Sequence, residues 1–179
     1  MNKSALAFTI LTIVTIVLFS IFLGIKNVDA DIADGVGYSI ENVDHRVEIM
    51  YNGYTVINDT IMISGSTDGA TPMRFLVGFP YKYGLSVSRC VAYDASGSLN
   101  VTLNVPLENR VDFYGVEIGF PQPLNMGNGT THALTVVFVL SNDLLHASST
   151  NSYTLDFPAY PSLTELAAKC SVEILPENM

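Results

Sequence analysis

From Gly37 onward the chain alternates apolar and polar residues with few interruptions, and a period of two is the spacing of a β-strand with one covered face. Residues 46–51 alternate, Asn52-Gly53 supplies the favoured hairpin dipeptide, and residues 54–57 form the returning arm. That arm continues through residues 60–63, but its apolar phase slips at Asn58-Asp59, which predicts a bulge there. A loop rich in turn formers comes next, over residues 64–72. Further strands are predicted over residues 73–79, 85–93, 99–105, 111–120, 132–141 and 153–157, with Leu85, Val87, Arg89, Val91 and Tyr93 sharing one face. The expected fold is all-β, an antiparallel β-sandwich of about eight or nine strands. Helical character is confined to residues 162–169, where Ser162 and Glu165 have the spacing of a capping box, ahead of a last strand at residues 171–175.

A different kind of segment precedes this body. Ala5 to Ile25 is an uncharged, mainly apolar run of 21 residues. As a helix it is long enough to cross a hydrocarbon core of about 30 Å. Its length suits an uncleaved anchor, whereas Val28-Asp29-Ala30 ahead of Asp31 suits a cleaved signal, and both readings stand. Lys3 before the run, with Asp29, Asp31 and Asp34 after it, orients the rest of the chain away from the cytoplasm. The expected organisation is a signal peptide or N-terminal membrane helix over residues 1–30 and an extracytoplasmic β-sandwich over residues 31–160. A short helical turn and a final strand over residues 161–179 would complete this domain or open a further one.

Residues 31–179 keep 6 of the 8 basic and 16 of the 17 acidic side chains, a formal charge near −10. Such a surface repels phosphate backbones, so nucleic acid is not an expected partner. The membrane, through the N-terminal segment, is one. Cys90 and Cys170 lie in strand-like stretches, and in an oxidising compartment they form a disulfide if those strands are adjacent; otherwise they are two thiols. His45, His132 and His146 stand in no metal-binding spacing, so neither a metal nor a cofactor is expected. Asp143 and His146 could form an acid–base couple, but no nucleophile or phosphate-binding motif accompanies them. The chain therefore reads as a non-enzyme. Asn58, Asn100 and Asn128 each begin an N-x-[ST] sequon. Residues 157–161, Phe-Pro-Ala-Tyr-Pro, read as a connector, or as a contact surface carried by Phe157 and Tyr160.

From about Asp44 to Leu175 the chain resembles the N-terminal lumenal region of ribophorin I, a non-catalytic subunit of oligosaccharyltransferase. The resemblance lies in the strand at residues 45–49, in residues 134–140 with the histidine-containing loop 142–146, and in the proline- and tyrosine-containing connector 157–161. It implies a cleaved signal and a β-sandwich scaffold contacting other membrane-complex subunits or exported polypeptide. A cell-surface or envelope binding domain with another ligand is the alternative. A secreted hydrolase, the reading from a different class, requires a polar cleft that gathers Asp143, His146 and other titratable groups.

Overall fold

The first hairpin turns on three residues. Met50 N–H donates to the Tyr54 carbonyl and Gly53 N–H to the Met50 carbonyl, each at 2.9 Å, so Tyr51, Asn52 and Gly53 form the loop. Gly53 takes the left-handed conformation that such a loop needs, at φ +82°. The expected two-residue turn would have set His45 opposite Thr60; the three-residue loop sets it opposite Asp59. A Cβ on Gly53 would also lie 3.0 Å from Leu145 Cδ2 and 3.1 Å from Asn142 Cβ. Gly53→Ala is expected to destabilise the protein by about 1–2 kcal/mol, read as a lower urea midpoint at unchanged slope.

The computed structural model describes residues 37–65, 71–108, 110–150 and 152–176. The N-terminal run, with its expected helix, lies outside them. Among the described residues no helix is long and apolar enough to cross a membrane. Eleven strands run in chain order: β1 (Tyr38–Ile49), β2 (Thr55–Gly65), β3 (Arg74–Pro80), β4 (Val87–Asp94), β5 (Gly97–Val105), β6 (Phe113–Gly119), β7 (Thr131–Leu140), β8 (Leu145–Ser149), β9 (Ser152–Leu155), β10 (Ser162–Leu163) and β11 (Ala167–Pro176). One helical turn, α1 (Tyr81–Gly84), and a 3-10 turn, Asn142–Leu144, interrupt them.

Nine strands form one sheet in the order β10-β3-β6-β5-β4-β7-β2-β1-β11, and β8 with β9 makes a separate hairpin. The all-β expectation holds, but in place of two separate sheets there is one continuous sheet. Strand β5 is the reason. Its first residues, Gly97 to Leu99, pair with β4, and residues 100–105 pair with β6, so one strand serves both halves. The sheet then rolls over on itself. Phe79 on β3 and Phe138 on β7 are separated in the sheet by β6, β5 and β4, about 19 Å if the sheet were flat, yet their ring centres are 5.1 Å apart. Tyr38 on β1 likewise meets Phe75 on β3 at 6.1 Å. The enclosed core includes Val43, Val47, Ile57, Ile61, Val77, Val116, Ile118, Val136 and Phe138.

The ladder is antiparallel except at one place, where β11 runs parallel to β1. The expected helix at 162–169 is absent. Ser162 and Leu163 instead pair with Gly78 and Val77 and are buried there, a gain that a short exposed helix would forfeit. The bulge is also elsewhere: β2 is unbroken through Asn58-Asp59, and the register shift falls in β1 between Ile40 and Asn42. It moves the inward positions of β1 from Tyr38 and Ile40 to Val43, His45 and Val47. In β4 a register shift between Val87 and Arg89 splits the predicted apolar face: Val87 packs against the core, and the later members point outward. Arg89, Val91 and Tyr93 are exposed, while Ala92 is buried and Cys90 packs against the core.

Candidate functional site

Two features stand out from a core built by alternation: a buried polar pair inside it, and an uncovered strand at its edge.

The pair is His45 and Asp59, 2% and 1% exposed. His45 Nδ1 lies 2.5 Å from Asp59 Oδ1, and His45 Nε2 lies 3.2 Å from the Pro158 carbonyl. A carbonyl only accepts, so Nε2 carries a proton and donates it to the connector. Burial raises the Asp59 carboxyl above the usual carboxylate range, and the hydrogen bond to His45 opposes that rise. One proton shared between Asp59 and Nδ1 satisfies every group of this set. The pair fastens the hairpin of β1 and β2 to the connector. The apparent phase slip at Asn58-Asp59 was this inward-facing carboxyl, and His45 lies within β1 rather than at its start.

The edge is β11. It pairs with β1 on one side, stands at the end of the sheet order, and is exposed along most of its length. In the parallel ladder Cys170, Val172 and Ile174 stand level with Val43, His45 and Val47. Side chains level with one another share a face, so these three point to the side on which β1 is fully covered. Val172 and Ile174 nevertheless remain 48% and 49% exposed. On the opposite face Ser171 donates to Asp44, and Glu173 lies 3.9 Å from Arg46.

Cys90 and Cys170 are both thiols. Strands β7, β2 and β1 lie between their strands, so the register does not bring the two into the adjacency a disulfide needs. Burial, with a smaller effect of Asp59, pushes the Cys90 thiol up to about 12, leaving it a packing group. Phe157 packs against the core, whereas Tyr160 is 65% exposed; of the two connector aromatics only Tyr160 offers surface. Asn100 and Asn128 are exposed, and Asn58 is half-buried on the outward face of β2.

Asp143 and His146 do not form an acid–base couple. Asp143 accepts from the hydroxyls of Ser141 and Ser86, the latter at 3.1 Å, and these bonds hold its carboxyl below the usual range. Nearby, Asp156 accepts from Lys82 Nζ at 2.7 Å and from the Tyr83 hydroxyl at 2.8 Å. These bonds strap the hairpin of β8 and β9 to α1 and its flank. His146 is exposed on β8, His45 is in the core, and His132 Nε2 lies 3.2 Å from Asp94. Among the described residues no group of three or more His, Cys, Asp or Glu side chains could hold a metal ion.

No protein-family model matches the chain, and no curated protein matches it. Among solved structures it is similar to an M1 zinc metallopeptidase from Deinococcus radiodurans, at 14% identity and a TM-score of 0.40, over 60% of this chain and 21% of that one. A two-domain M1 zinc metallopeptidase bound to L-tryptophan matches at 13% identity and a TM-score of 0.40, over 65% of this chain and 23% of that one. The chain thus spans less than a quarter of the length of either neighbour, and likeness at this level assigns neither family nor activity.

Proposed function

We propose that this chain is a non-catalytic, extracytoplasmic β-domain associated with a membrane through its N-terminal apolar run, serving as a binding or scaffold subunit that receives a partner along β11. The observation that carries the reading is the uncovered inward face of β11. Cys170, Val172 and Ile174 continue a core row past the point where the described residues cover it. Its outer backbone edge also has no strand beside it among the described residues, which is the arrangement strand addition uses. An exposed edge strand of this length is otherwise an aggregation hazard that proteins keep blunt. The resemblance of residues 44–175 to ribophorin I supports the same role, as a subunit of a glycosylation or translocation complex. The alternative is a cell-surface or envelope domain that binds a different ligand.

Affinity recovery of the full chain from detergent-solubilised native membranes, with the intact mass of the recovered protein, tests this. Retention of a partner chain by the wild-type protein, whether another subunit or a second copy, and its loss on converting Val172 and Ile174 together to lysine, is the expected result. A mass beginning at Asp31 would identify a removed signal. A chain that carries nothing with it, or whose partners ignore the β11 substitutions, overturns the proposal.

A further inference from the structure

We infer that the partner on β11 is a second copy of this chain, added antiparallel so that the two sheets become one across a two-fold axis at Ser171. This rests on the reading of β11 as a docking edge and names its occupant.

The register follows from symmetry and charge. A two-fold axis normal to a sheet keeps each face on its own side, so opposed residues belong to the same face and the axis must fall at a residue, not between two. Five residues lie in the exposed middle of the strand, from Lys169 to Glu173. An axis at Lys169 or Glu173 opposes two like charges, which is unfavourable in a sheet. An axis at Cys170 sets Lys169 against the partner's Ser171, and an axis at Val172 sets Glu173 against the partner's Ser171; neither pairs the charges. An axis at Ser171 sets Lys169 against the partner's Glu173, and Glu173 against the partner's Lys169. On the inward face it sets Cys170 against the partner's Val172, closing the apolar row that β11 leaves open. The same register runs from Ala167 to Leu175 and leaves Pro176, which has no N–H to give a ladder, just outside.

Charge also favours a copy over an unrelated strongly charged partner. The chain carries a net charge of −9, so two copies repel broadly, yet β11 holds one lysine and one glutamate and is locally neutral. A lysine alone blunts an edge against pairing. A glutamate four residues along makes this edge complementary to itself.

The test is sedimentation of the full chain in mild detergent as wild type, as K169E, as E173K, and as an equimolar mixture of the two variants. Wild type should be dimeric. Each variant alone, with two attractive pairs turned repulsive, should raise the dimer dissociation constant about tenfold or more. The mixture should recover a heterodimer, because each reversed charge then meets its complement, and recovery also shows that both variants are folded. A dimer indifferent to these changes overturns the proposal, as does a monomeric wild type. Alkylation of Cys170 in native membranes separates the two levels of the argument. A monomeric chain whose Cys170 is shielded there has a different partner on β11. A monomeric chain whose Cys170 reacts as fast in membranes as in detergent removes the docking edge altogether.

Discussion

Asp59→Ala is expected to cost the fold about 1–3 kcal/mol, the usual loss when a buried polar group is left without its hydrogen-bond partner. The His45 ring would stay buried with Nε2 still bound to the Pro158 carbonyl, while Nδ1 would face a cavity with neither protein nor water to meet it. For a domain of this size the loss corresponds to a melting temperature lower by roughly 5 °C. Asp59→Asn separates the charge from the hydrogen bond. An amide N–H can donate to Nδ1 as a protonated carboxyl does, so its cost should be under about 1.5 kcal/mol. The pH dependence supplies a second readout. Because burial raises the folded-state pKa of Asp59 above its unfolded value of about 3.9, its contribution is present in full below that value and is lost as pH rises through the raised folded value. Urea midpoints across that window should fall with pH for wild type and flatten for Asp59→Asn. Equal slopes in the two proteins would refute a raised Asp59 pKa in the folded state.

Phe138→Ala is expected to lose more, about 3–5 kcal/mol, from transfer and cavity terms together. Phe138 is fully buried and meets the Phe79 ring edge-on at 5.1 Å, so it joins β7 to β3 across the inside of the rolled sheet. It is also the register partner of both Ile57 and Cys90, which leaves the cavity rigidly walled on two sides. Leu103→Ala on β5 provides the contrast: the residue is 42% exposed, and the loss should stay at about 0.5 kcal/mol. Guanidinium unfolding of both variants gives the comparison, and a Phe138→Ala loss below about 1 kcal/mol would show that the two halves are not joined through this contact.

Local pattern carried the strands, because alternation and turn residues act over a few neighbours. The first hairpin and β7 are legible in that way. What escaped was decided by distant partners. Asp59 looked like a phase error until His45 appeared opposite it, although both occupy the inward phase, between Val43 and Val47 on one arm and between Ile57 and Ile61 on the other. A pair of opposed polar residues at matching positions of a hairpin was the available signal. In β4 the apolar alternation marked the wrong face only after Val87, where the register shifts and small Cys90 and Ala92 fill the inward positions. Ser162 and Leu163 escaped because two residues carry no period; their place on β3 depends on a neighbour more than eighty residues earlier. The exposed edge at β11 was invisible for the opposite reason. Its alternation predicts a covered face, and only the assembled sheet shows that nothing described in this chain covers it.

The parallel contact of β1 with β11 has a bearing on the order in which the protein is made. Ile40 and Ala167, opposed in that ladder, are separated by most of the described chain, whereas β1, β2, β4 and β7 are connected by pairings that need nothing beyond Leu140. A ribosome therefore delivers seven strands of the sheet, from β3 at one end to β1 bare at the other, well before the strand that will lie against β1 exists. At a synthesis rate of about 5–20 residues per second, the stretch from Leu140 to Pro176 leaves that margin unguarded for a few seconds. Whatever protects nascent chains has its strongest claim on this molecule in that interval.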